Sequence, residues 1–111
     1  MFEKWKWLFH LAKRKFKDGS QISPLDKEHY SYAEPDGHVL EVPFMMTGDS
    51  LSEEKTGVDR ETALECFRYW SPPYSKEPIS QEKRREILKK FETYFSERGT
   101  TWRLLRKVPR D

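Results

Sequence analysis

The residues able to do chemistry are few and scattered along the chain. The three histidines, His10, His29 and His38, lie in different local settings. None stands in a motif with a serine and an acid, so no Ser/His/Asp relay is legible. His10 falls in a basic amphipathic stretch and His38 beside a turn; an ordinary, partly solvated histidine is the simplest reading of both. Cys66 is the single cysteine, and beside Phe67 it resembles a small buried apolar residue more than a nucleophile. Asp49, Glu53 and Glu54 offer carboxylates to a cation, but Gly48 precedes them and the spacing is not that of a calcium loop. There is no glycine-rich phosphate loop and no dinucleotide fingerprint. The expectation is a non-enzymatic chain without cofactor or metal.

What remains is charge and aromatic surface. Formal net charge is +2, but it is distributed in blocks. Residues 1–17 carry six basic residues against one acid, residues 18–80 five against thirteen, and residues 81–111 ten against five. An acidic middle of this kind has two readings. Its charges can pair across the fold as a solvated surface, or they can form an acidic face that docks a basic partner. On the second reading the contact residues are Glu53, Glu54, Asp59, Glu61 and Glu65. Trp70 and Tyr74, in the run Tyr69-Trp70-Ser71-Pro72-Pro73-Tyr74, are candidate aromatic anchors. The competing role for those rings is structural, wedging the corner against the helix that follows.

That helix is the most fully specified element. Ser80 can cap it by accepting a bond from a first-turn N–H. Ile87, Leu88, Phe91, Tyr94 and Phe95 form one apolar stripe at helical period. Gly99 can take the left-handed position that ends it. The spacing predicts a helix over 81–98 whose stripe lies across a sheet.

The other elements are read around it. Phe2, Trp5, Phe9, Ala12 and Phe16 recur at helical spacing among lysines, predicting a basic amphipathic helix over 1–17 that ends by residue 18. It either packs on the domain or lies on an anionic membrane surface. Residues 19–29 read as a linker. Pro35-Asp36-Gly37 is a turn with a mechanism, because proline presets φ and glycine accepts φ > 0. It joins strands 30–34 and 38–46 as a hairpin, with Leu40, Val42, Phe44 and Met46 facing inward and Pro43 marking an edge or bulge. Residues 47–58 read as an acidic loop. Residues 59–70 fit either a helix or a strand near 61–66, with local propensity slightly favouring helix. A last strand spans 100–107, with Trp102 and Leu104 inward. The fold class is α+β. An antiparallel sheet of three or four strands carries helix 81–98, within a domain over 30–108, after an N-terminal helix over 1–18. Leu40, Val42, Phe44, Ile87, Leu88, Phe91, Phe95, Trp102 and Leu104 are the expected core.

Length and composition agree with one such domain. At 111 residues the chain can bury roughly two-thirds of its unfolded surface. The aromatic share of 14% offsets a modest 35% hydrophobic content. A lone cysteine, with no legible secretory signal, fits a reducing cytoplasm. No apolar run reaches the ~20 residues that span a bilayer. Nucleic-acid binding ranks low, because acids interleave with the bases of the long helix.

Arg68-Tyr69-Trp70-Ser71-Pro72-Pro73-Tyr74, Glu77-Pro78-Ile79-Ser80, Arg84-Arg85-Glu86-Ile87-Leu88, Phe95 and Gly99, taken together, carry a resemblance. The set is similar to a family of small bacterial immunity proteins from polymorphic-toxin systems. In that family a hairpin precedes a W-x-P-P type corner, an I-S/T start, one long helix and a last strand. The resemblance covers about residues 30–105. Residues 1–17 and the acidic loop at 47–58 depart from it, and no binding residue carries over onto them. It implies a cytoplasmic, non-enzymatic inhibitor whose partner is a cognate toxin.

Overall fold

Helix α1, Gln81–Glu97, forms where its cap and stripe place it. The Ser80 hydroxyl accepts the Lys83 N–H at 3.1 Å. Ile87, Phe91, Tyr94 and Phe95 are buried and Leu88 packs beside them. At the other end the Arg98 guanidinium donates to the Tyr94 carbonyl at 2.9 Å and lies 3.7 Å over the Tyr94 ring. Gly99 takes φ +68°. The computed structural model describes residues 13–46 and 59–105.

The surface under the helix is a four-stranded antiparallel sheet: β1 Arg14–Lys15, β2 Gln21–Pro24, β3 His29–Ala33 and β4 Val39–Pro43, in that order. Alternation dictates its faces. Tyr30 and Tyr32 on β3, and Leu40 and Val42 on β4, point inward together, because Tyr30 pairs with Val42 and Tyr32 with Leu40. Ile22 on β2 joins them opposite Tyr32. The turn at Pro35-Asp36-Gly37 forms as read, with Gly37 at φ +98° and the Asp36 carboxylate accepting the His38 N–H at 3.0 Å.

Two expectations fail in this layer. Residues 13–17 do not continue a helix: Arg14 pairs with Ile22 and Lys15 with Gln21. The physical cause is the turn that follows. Gly19 sits at φ +90°, Asp18 Oδ1 accepts the Ser20 N–H at 2.9 Å, and Phe16 donates to the Ser20 carbonyl at 2.8 Å. The rest of the expected N-terminal helix lies outside the described residues. The stretch 19–29, read as a linker, contains β2, the strand that joins β1 to β3.

The expected strand over 38–46 is broken. Pro43 ends β4, since it has no N–H to donate. Phe44 instead donates its N–H to the Glu28 carbonyl at 2.7 Å. The chain then moves to a second, mixed sheet of β5 Met45–Met46, β6 Arg60–Ala63 and β7 Trp102–Leu105. β5 runs antiparallel to β6, whereas β7 runs parallel to it. Met46 is accordingly 52% exposed rather than inward. The ambiguous stretch after Asp59 is a strand followed by a 3-10 turn over Leu64–Phe67.

Phe44 joins the two sheets. Its ring meets Tyr30, Phe67, Phe91, Phe95 and Trp102 at centroid distances of 4.8 to 6.5 Å. Most of these contacts are tilted or edge-on, the arrangement that the ring quadrupole favours. Trp102 packs against this cluster, but Leu104 is 38% exposed, a correction to its expected core position. Phe44 and Phe95 reach Trp102, whereas Leu104 lies two residues farther along β7 opposite Thr62.

Candidate interaction surface

The second sheet leaves an apolar groove. Pro43, Met45, Ala63, Cys66 and Leu105 line a cavity of about 290 Å³. Three elements far apart in sequence build it. Pro43 turns the chain out of the first sheet, and β5 then sets Met45 opposite Glu61. The 3-10 turn tucks Cys66 under β6. Parallel pairing puts Leu105 beside Ala63. Glu61 and Thr62 complete the lining.

The polar chemistry of the groove is muted. Burial pushes the Cys66 thiol up, and the Glu65 charge adds to that. That direction favours the neutral thiol over the thiolate. Glu61 is gripped by the Arg103 guanidinium from β7. The Thr62 hydroxyl is buried and, among the described residues, has no hydrogen-bond partner. Among the described residues no three His, Cys, Asp or Glu side chains gather to hold a metal ion. The lining is thus mostly apolar, with Glu61 and Thr62 its polar members.

The expected contact residues are dispersed. Glu53 and Glu54 lie outside the described residues. Asp59 is a joint rather than a projecting charge: its carboxylate accepts the Thr101 N–H at 2.9 Å and hydroxyl at 3.1 Å, tying the starts of β6 and β7 together. Glu61 lines the groove while paired to Arg103. Glu65 is exposed on the 3-10 turn. These three follow one another along the chain, from the residue before β6 to the 3-10 turn after it.

Trp70 and Tyr74 belong instead to the hairpin end of the first sheet. Trp70 is 8% exposed and stacks on Tyr32 at 6.4 Å. Tyr74 stacks on the His38 ring at 4.0 Å. Ser71 fixes the corner to β4: its N–H donates to the Val39 carbonyl at 2.8 Å, and its hydroxyl accepts the Glu41 N–H at 3.0 Å. The ring contacts of both are with the hairpin, through Tyr32 and His38, and not the expected wedge against the helix. Its outward aromatic is Tyr69, 55% exposed.

Met45 and Leu105 were not singled out in the sequence as site residues, and Cys66 was read there only as a small buried apolar residue. Pro43 followed by Met45-Met46 was the local sign that a strand ends and an apolar edge begins. Comparison with known proteins finds no match: no family model fits the chain, and no curated protein or solved structure is significantly similar to it.

Proposed function

We propose that this chain is a non-enzymatic, stoichiometric binding protein, an immunity-type inhibitor that neutralises a cognate bacterial toxin in the cytoplasm. The groove on the second sheet carries the reading. A cavity of about 290 Å³, flanked by Met45 at 48% and Met46 at 52% exposure, leaves adaptable apolar side chains at the surface of a small domain. Methionine edges of this kind repack around a partner's side chain. The aromatic–proline corner leading into a capped helix supports the family resemblance. The contact is expected to centre on Met45 and Leu105. Among the described residues no helix is long and apolar enough to cross a membrane.

The test is co-expression with a candidate toxin domain, sought in the genes that neighbour this one. The unsubstituted protein is expected to restore growth and co-purify with the toxin. Met45→Glu should keep the fold, since Met45 is an exposed strand residue, and should weaken association at least tenfold. Growth arrest with no complex at low salt rejects the inhibitor reading. Protection that survives Met45→Glu rejects the groove as its contact.

A further inference from the structure

Outside the groove, one ionisable ring is held on every side. His38 follows the β3–β4 turn with its side chain one-fifth exposed. Its Nδ1 lies 2.8 Å from Asp36 Oδ1 and its Nε2 lies 3.0 Å from Glu77 Oε2. Tyr74 stacks on one face at 4.0 Å, and Trp70 meets the ring at 5.1 Å and 61°. Among the described residues the charged or titratable groups against this ring are Asp36 from the turn, and Glu77 and Tyr74 from the corner.

Both ring nitrogens face carboxylate oxygens. Only the imidazolium has two N–H groups to give; a neutral imidazole has one, and its other nitrogen turns a lone pair toward an anion. Asp36 is anchored independently by the His38 N–H at 3.0 Å. The Glu77 side chain is half-exposed and can swing away. Its backbone is part of the corner, because the Glu77 carbonyl accepts the Trp70 N–H at 3.3 Å and the Glu77 N–H donates to the Tyr74 carbonyl at 2.9 Å. The ring's contact with Glu77 Oε2 therefore ties the hairpin to a segment whose backbone is bonded to Trp70 and Tyr74.

We propose that His38 is a pH-responsive latch that holds the Trp70–Tyr74 corner against the β3–β4 hairpin while protonated and frees it when neutral. Hydrogen bonding to Asp36, followed by that to Glu77, raises the affinity of the ring for its proton. A folded-state value above the unfolded one fixes the sign. The latch is fully closed below about pH 6.5 and opens as pH rises through the elevated value. This inference is independent of the binding partner.

The test is NMR on the full chain between pH 5 and 9, reading the His38 ring titration and the amide exchange of Trp70 corrected for intrinsic base catalysis. His38 should titrate above about 6.5. Protection of the Trp70 N–H should fall at least tenfold through the same midpoint, while that of Phe91 stays constant. Glu77→Gln alters an exposed side chain and offers either a donor or an acceptor to Nε2. It should lower the His38 midpoint and keep Trp70 protected at high pH. A His38 midpoint at or below about 6.5 overturns the latch. So does Trp70 protection that ignores the His38 midpoint, or that falls equally in Glu77→Gln.

Discussion

Lys90 shows how single side chains tie helix to sheet. Its ammonium donates to Asp18, to Ser20 Oγ at 2.8 Å and to the Tyr32 hydroxyl at 3.2 Å, which in turn donates to Glu34 at 3.0 Å. The Lys90 hydrogen bond, then those from Ser20, hold the Asp18 carboxyl far below the usual carboxylate range. A depressed folded-state value contributes stability above about pH 4 that is lost as pH falls through it. Because Asp18 is mostly exposed, the effect is small. Asp18→Asn should cost about 0.5–1 kcal/mol at pH 7 in urea unfolding, with the difference from the unsubstituted chain shrinking toward pH 2. Gly19, one residue on, is sterically committed. At φ +90° a Cβ would lie 2.8 Å from Pro35 Cγ in the neighbouring turn. Gly19→Ala should therefore destabilise by more than about 1 kcal/mol, measured as a lower urea midpoint with an unchanged slope.

At the scale of elements, local signals were the legible ones. The helix was read to within a residue of its end because Ser80, the stripe and Gly99 are all near neighbours in sequence. The first hairpin was read because Pro35-Asp36-Gly37 sets its own geometry. The second sheet was not legible: its parallel pair joins Glu61 to Arg103, 42 positions apart, and no periodicity announces such a partner. Residues 13–17 misled for a different reason. Phe16 continues the helical spacing of Phe2 to Ala12, but the local turn at Asp18-Gly19-Ser20 folds the segment back as a strand, and Phe16 packs on the core beside it. The groove inherits this difficulty, since Met45, Cys66 and Leu105 meet only through that pairing. The helix offers two graded tests by thermal or urea unfolding. Ser80→Ala should cost about 1 kcal/mol through the lost cap. Phe91→Ala should cost about 3–5 kcal/mol, since its buried ring contacts Phe44, Phe67 and Phe95. Equal effects would show that the stripe contributes little to the core.

Across the whole molecule, the block pattern of charge has a structural outlet. Acids of the middle segment meet bases of the last one: Asp18 with Lys90, Glu34 with Lys83, and Glu61 with Arg103. Arg14 near the first strand meets Glu97 at the helix end. These pairs favour the reading in which opposite charges neutralise across the fold, and they shift the proposed contact from an acidic face to an apolar groove with a charged rim. Association should then depend only weakly on salt, because exposed pairs are what salt screens. The most direct measurement is size-exclusion chromatography with light scattering on this protein mixed with a candidate toxin domain, sought in the neighbouring genes, with and without Met45→Glu. The account predicts a one-to-one complex that persists in moderate salt and dissociates for Met45→Glu. Separate elution of the two unsubstituted proteins at low salt would contradict it.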